Sequence, residues 1–133
     1  MARVWVNGSF DVLHKGHIEL LKFASDFGSV RVGLDTDRRI KEFKGELRPI
    51  NTLEERMLMM ESLKCVDSVV SFDSDLELEN QIRYWNPHYL IIGSDYKDKK
   101  VIGSQYVEKV IFFDRIEGYS TTQKIKEING QNS

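Results

Sequence analysis

Short β-rich apolar runs alternate with helix-periodic segments along the whole chain, and this alternation restricts the fold more than any other feature. Arg3-Val4-Trp5-Val6 is the first such run and ends at the turn signal Asn7-Gly8. From Gly16 the period changes. Ile18, Leu21, Ala24 and Phe27 recur at steps of three, which predicts a helix that Gly28 stops as a C-cap. Val30-Arg31-Val32-Gly33-Leu34 reads as a second strand, closed by the polar Asp35-Thr36-Asp37. The charged stretch 38–48 has no strong period and reads mostly as loop with some helix, up to Pro49. Asn51 or Thr52 caps the next helix, with Glu55 placed as in a capping box, and Leu53, Met57, Met60 and Leu63 give it one apolar face. At this spacing the methionines read as core rather than as a soft binding groove. Strands are expected at 66–72, 89–92 and 109–113, and helices at 76–85, stopping near Pro87, and at 120–128. Val101-Ile102 is too short to assign, and 130–133 is expected to fray.

Each crossover helix must pack back on the sheet, so this order of elements predicts a parallel sheet covered on both faces. The later four strands are largely continuous apolar runs, as burial on both faces requires. The expected fold class is α/β, a small three-layer Rossmann-like domain with a five-stranded, mostly parallel sheet. Residues 1–133 are expected to form one domain, since 133 residues suffice to bury a single core. With 41% apolar and 30% charged residues, the balance is that of a soluble globular chain. A formal charge of -2 and scattered basic residues exclude an electrostatic nucleic-acid binder. The single cysteine, Cys65, rules out an internal disulfide, suits a reducing cytosol and reads as a small core residue rather than a nucleophile. No apolar run approaches the roughly 18–20 residues of a membrane span, and the N-terminus has no signal-peptide pattern. A cytoplasmic location without a membrane span is therefore expected.

In open α/β sheets ligands bind outside the carboxyl ends of the strands. Three polar, glycine-bearing segments converge there. The first strand delivers Asn7-Gly8-Ser9-Phe10-Asp11 and then His14-Lys15-Gly16-His17, the fourth delivers Gly93-Ser94-Asp95-Tyr96, and the fifth is followed by Arg115 and Gly118-Tyr119-Ser120-Thr121-Thr122. His14 and His17 stand three residues apart at a helix start and can share one face, and Gly16 permits close backbone approach where free N–H groups attract anions. Two imidazoles there can donate to phosphate oxygens, most strongly as charge builds in a transition state. Local capping and zinc binding are the competing readings. A zinc site wants a third protein ligand, and His88, beside Pro87, falls at the opposite end of the sheet. Ser120, Thr121 and Thr122 are ordinary helix caps on one reading and donors to the same anion on another. Neither the Walker pattern nor the dinucleotide fingerprint is present.

Gly8-Ser9-Phe10-Asp11 with His14-x-Gly16-His17 resembles the signature of the cytidylyltransferase-like nucleotidyltransferases, and Gly118-Tyr119-Ser120-Thr121-Thr122 resembles their second signature. The resemblance covers nearly all of residues 3–128. Two branches compete. Leu47-Arg48-Pro49-Ile50-Asn51, Leu53-Glu54-Glu55-Arg56-Met57 and Gly93-Ser94-Asp95-Tyr96-Lys97 look like the heptose 1-phosphate adenylyltransferase domain of ADP-heptose synthesis. That branch usually carries Gly-Gly-Asp-Tyr, so Ser94 is a departure near the nucleotide. Arg115-Ile116-Glu117-Gly118 and Lys124-Ile125-Lys126 look instead like glycerol-3-phosphate cytidylyltransferase. The heptose-type branch is the favoured expectation. A pantetheine phosphate or nicotinate mononucleotide adenylyltransferase is disfavoured because no arginine follows Thr122. A nucleotide-binding module without chemistry is the non-enzyme alternative.

The resemblance implies transfer of a nucleoside monophosphate from ATP or CTP to a sugar or polyol phosphate, with release of pyrophosphate. It implies that His14 and His17 contact the triphosphate and that Lys44, in Phe43-Lys44-Gly45, is the catalytic lysine with Lys41 as fallback. Gly8, Ser9, Phe10, Gly16 and Gly93 fall in the nucleotide-binding motifs. Arg115, Gly118, Ser120, Thr121 and Thr122 would hold the β- and γ-phosphates. Asp11 and Asp95 would hold magnesium or a substrate hydroxyl, and Arg56 and Tyr96 are candidate substrate contacts. Magnesium is the expected cofactor, a homodimer the expected assembly, and nucleic acid is not an expected partner.

Overall fold

In the computed structural model all five strands run parallel, in the order β3-β2-β1-β4-β5. They are β1 (Arg3–Gly8), β2 (Ser29–Asp35), β3 (Ser68–Phe72), β4 (Tyr89–Gly93) and β5 (Lys109–Phe113), so an expected mostly parallel sheet is a wholly parallel one. Four helices, α1 (Lys15–Ser25), α2 (Asp37–Lys44), α3 (Leu53–Glu61) and α4 (Asp75–Trp85), complete the architecture. The structure describes residues 1–114 and Ile125, so the helix expected at 120–128 lies, apart from Ile125, outside the described residues.

The alternation of side chains along β1 builds both core layers. Val4 and Val6 pack on one face with Leu21 and Ala24 of α1 and Met60 of α3. Trp5 points to the other face, where it meets Phe72, Leu78, Ile82 and Leu90, and all three β1 side chains are wholly buried. Val101, too short to assign from sequence, is buried in this second layer. Gly33 lies beneath Trp5, so close that an added Cβ would come within 2.5 Å of Cζ2. The edge strands β3 and β5 are mostly half-buried, which corrects the expectation that all the later strands are covered on both faces.

Three helices begin on a hydroxyl. Thr36 Oγ1 accepts from Arg39 N–H, Thr52 Oγ1 from Glu55 N–H and Ser74 Oγ from Glu77 N–H. Thr52, rather than Asn51, is thus the cap of α3, and its hydroxyl also donates to Glu55 at 3.1 Å. Most of 38–48 read as loop because α2 buries only Ile40 and, apart from the exposed Phe43, is otherwise charged. At the end of α1 the cap is Asp26, in a right-handed conformation, and not Gly28. Gly28, at φ 154°, instead lets the chain pass so close to the Ala2 carbonyl that a Cβ would lie 2.2 Å from its oxygen. Cys65 is half-buried against the first core layer, and burial pushes its thiol up. No described helix is long and apolar enough to cross a membrane.

The strand order reverses between β1 and β4. The chain winds outward from β1 through β2 to β3, then returns across the sheet through α4 to lie on the other side of β1. A crevice opens at the carboxyl ends at such a point.

Candidate active site

The last residue of every strand, from Gly8 of β1 to Phe113 of β5, lines a single cavity of about 540 Å³. Its volume is that of a small-molecule site, on the order of 300–1,000 Å³. The expected carboxyl-edge location is realised, and Gly8, Ser9, Phe10, Gly16, His14, His17 and Lys44 all line this cavity.

Local geometry explains how the two histidines reach it. After β1 the chain turns through Phe10 at φ 46°, an uncommon left-handed conformation for a bulky residue. The Phe10 ring is buried and meets the His17 ring edge-on, at 5.1 Å between centroids. His14 is the N-cap of α1: its Nδ1 accepts from Gly16 N–H at 3.0 Å, and His17 Nδ1 accepts from His14 N–H at 3.3 Å. This reciprocal arrangement is a capping box made from two imidazoles. The rings stack with centroids 3.8 Å apart and planes at 23°. With each Nδ1 serving as an acceptor, a neutral ring carries its proton on Nε2. Local capping, one of the competing sequence readings, is thus present and engages the Nδ1 atom of each ring.

Three expected ligand contacts turn out to be internal. Asp11 is wholly buried and away from the cavity lining, and its Oδ2 accepts from Ile50 N–H at 2.8 Å and Arg48 Nε at 3.2 Å. Its Oδ1 accepts from Asn51 N–H at 2.8 Å, while the Asn51 side-chain amide donates back to the Asp11 carbonyl. A carboxylate so enclosed presents no oxygen to magnesium or a hydroxyl. Arg56 is also wholly buried and donates to the carbonyls of Ser9, Asp35 and Asn51 and to Asp37 Oδ1 at 2.7 Å. It ties the β1 loop to the start of α2, and does not face a substrate. Lys41 Nζ donates to the carbonyls of Glu46 and Arg48 at 3.5 and 3.1 Å, which holds the loop after α2, and the lysines that line the cavity are Lys44 and Lys100.

Lys44 is exposed as a residue, yet its ammonium is held below the ordinary lysine range. Partial dehydration at the cavity wall is the main cause and repulsion from Arg48 adds to it, while Asp35 and Asp11 pull the other way. A lowered pKa means that the proton is lost at lower pH than from a free lysine. If Lys44 is the catalytic lysine that the resemblance implies, catalytic efficiency is expected to fall on the alkaline side at a pH below the ordinary lysine value. A pH profile of kcat/KM checks this, and the same limb should move upward or vanish in Lys44→Arg.

Gly93 and Tyr96 line the cavity from the β4 side, Tyr96 standing on a 3-10 turn (Ser94–Tyr96) with Lys99 Nζ 5.2 Å above its ring. The side chain of Asp95, and Arg115, Gly118, Ser120, Thr121 and Thr122, lie outside the described residues. Among the described residues no three His, Cys, Asp or Glu side chains gather as a metal site. Sequence reasoning missed Arg39 and the role of Asn51. Arg39 lines the cavity from a helix whose charged pattern hid it, and Asn51 had the signature of a cap.

A parallel sheet with a cavity at its switch point, lined by a histidine-bearing helix start, is the architecture of a ligand-binding α/β protein. The family model described as cytidylyltransferase-like matches residues 5–128. The chain belongs to the cytidylyltransferase-like family. It is 48% identical over 126 residues to the bifunctional protein HldE of Helicobacter hepaticus, covering 94% of this chain and 26% of that protein. It is 45% identical over 128 residues to the HldE of Campylobacter fetus, covering 96% and 28%. The chain thus spans about a quarter of the length of these relatives. Among solved structures, a lipopolysaccharide core biosynthesis protein of Thermoplasma volcanium shares the fold at a TM-score of 0.68 and 24% identity, covering 90% of this chain and 99% of that one. The pantothenate synthetase of Thermus thermophilus does so at 0.60 and 14%, covering 100% and 71%.

Proposed function

We propose that this enzyme transfers the nucleoside monophosphate of ATP to heptose 1-phosphate and releases pyrophosphate. The observation that carries the reading is the stacked imidazole pair, with both Nδ1 atoms turned into the helix cap and both rings lining the cavity. A phosphate oxygen of the acceptor attacks the α-phosphorus in line. One P–O bond forms, the bond to the β-phosphate breaks, and pyrophosphate leaves. The nucleophile is already an anion, so the protein's task is positioning and charge stabilisation rather than general-base chemistry. The Nε2–H groups of His14 and His17 serve the charge at the α-phosphate, and Lys44 spans it from α2.

The likeness to the HldE proteins supports the heptose-type branch over glycerol-3-phosphate cytidylyltransferase. Magnesium belongs to the proposal because it offsets triphosphate charge. Among the described residues no group of three His, Cys, Asp or Glu side chains makes a site for it, and Asp11 is enclosed. The ion would be held by phosphate oxygens and water, and no step is assigned to it. The reading places the enzyme in the cytoplasm as a homodimer, for which the exposed Leu58 and Met59 of α3 are available apolar surface.

The test is pyrophosphate release with ATP or CTP, each against heptose 1-phosphate and glycerol 3-phosphate, with magnesium present. Turnover with ATP and the heptose is the expected result. Turnover confined to CTP and glycerol phosphate would transfer the protein to the other branch, and none in any mixture would remove both.

A further inference from the structure

The cavity has two halves, one on each side of β1. The glycine-bearing motifs lie at the ends of β1 and β4, whereas the half bounded by β2, β3 and α2 holds only Lys44 of the residues assigned to the triphosphate. That half is built from an ion pair and two aromatic rings. Arg39 Nε donates to Asp35 Oδ1 at 2.8 Å, and its Nη2 donates to Asp75 Oδ1 at 2.6 Å. The guanidinium stands 5.0 and 5.3 Å from the ring centroids of Phe43 and Phe72. Asp35, Arg39, Phe43 and Phe72 all line the cavity. The Asp35 and Arg39 side chains are held in place at 21% and 12% exposure, and Oδ2 of Asp35 has no donor among the described residues.

Charge decides what such a wall can take. One guanidinium faces two carboxylates, so the trio carries a net negative charge and repels phosphate. What it offers a ligand is a carboxylate oxygen as acceptor, a fixed guanidinium edge as donor, and two ring faces. Hydroxyl groups both donate and accept, and the C–H faces of a carbon chain or ring pack on aromatics. Lys44 follows directly on Phe43 and lies near enough to Asp35 to feel its charge, so a phosphate at Lys44 and hydroxyls at Asp35 belong to one molecule of ordinary size. Gly8 pairs with Leu34 across β1 and β2, which puts Asp35 about one strand spacing, ~4.8 Å, from the phosphate loop.

We propose that Asp35 and Arg39 form the subsite that reads the hydroxyl groups of a polyhydroxylated phosphate-ester acceptor. The proposal rests on the nucleotidyl-transfer reading for the identity of the reaction and on the geometry of this wall for the chemistry of the ligand. A pair that only braced α2 against α4 would alter stability and leave acceptor affinity alone. A pair that reads hydroxyls sets the affinity for the acceptor and leaves the nucleotide alone.

The experiment is calorimetric titration of heptose 1-phosphate into the full chain with a non-transferable ATP analogue present, comparing wild type, Asp35→Asn and Arg39→Lys. Pyrophosphate release is measured in parallel, and circular dichroism establishes that each variant is folded. Acceptor binding is expected to weaken about ten- to a hundredfold in both variants, the scale of losing a charged hydrogen-bond partner to a substrate hydroxyl. Binding of the analogue should be unchanged. Equal acceptor affinity in folded variants, equal loss of acceptor and nucleotide, or no binding of the sugar phosphate by wild type would each overturn the subsite. Tight acceptor binding that depends on Asp35 and Arg39, without pyrophosphate release, would uphold the subsite and sink the transfer reading instead.

Discussion

Replacing His14 or His17 with alanine is expected to lower turnover by at least ~100-fold in a protein that still folds, the scale of losing one preorganised donor to transition-state charge. The cap geometry sharpens this. His14 Nδ1 satisfies Gly16 N–H, so His14→Ala also removes a cap, at a cost of about 1 kcal/mol. Asparagine is a good N-cap but has nothing at the position of Nε2. His14→Asn should therefore recover the thermal midpoint lost in His14→Ala while turnover stays low. Recovery of both stability and turnover would mean that the imidazole acts only as a cap. For His17 the corresponding variant is Gln, whose amide oxygen can accept from His14 N–H in place of Nδ1. Steady-state pyrophosphate release and thermal unfolding on the same preparations decide between the two roles.

What was legible in the sequence was local. Residues 109–113 read as a strand because four apolar, β-prone residues follow Lys109 without a break, and β5 has those bounds. The histidine spacing announced a helix start, and the switch-point rule turned the strand reading into a cavity at the carboxyl edge. The features that escaped depend on partners far away in the chain. Asp11 meets Asn51 across 40 residues, and Arg56 meets the Ser9 carbonyl across 47. No local pattern distinguishes a carboxylate that binds a ligand from one that accepts backbone N–H groups of a distant loop. Helix α2 escaped for another reason. Its only buried residue is Ile40, too little for an apolar period, and its start depends on Thr36, a cap that sits between two aspartates and reads as turn.

The buried carboxylate supplies the largest expected effect on stability. Asp11→Ala would leave the N–H groups of Ile50 and Asn51 without their acceptor, and would strand the Arg48 guanidinium, whose side chain is only 13% exposed. Arg48 Nη2 already lacks a hydrogen-bond partner among the described residues. Removing one partner of a buried ion pair costs roughly 3–5 kcal/mol, a large share of the ~5–15 kcal/mol that holds a typical domain together. Asp11→Asn keeps the volume and one acceptor oxygen but turns an amide toward an N–H group, so it should lose less. Adding Arg48→Met to Asp11→Ala removes the stranded charge and should restore part of the loss, a coupling that a double-mutant cycle in urea measures directly. The same variants separate this bracing role from metal binding. If Asp11 only holds the β1 loop to residues 48–51, the magnesium concentration for half-maximal turnover stays as in wild type in folded Asp11→Asn. A tenfold rise in that concentration, with unfolding unchanged, would return Asp11 to the ligand side of the loop.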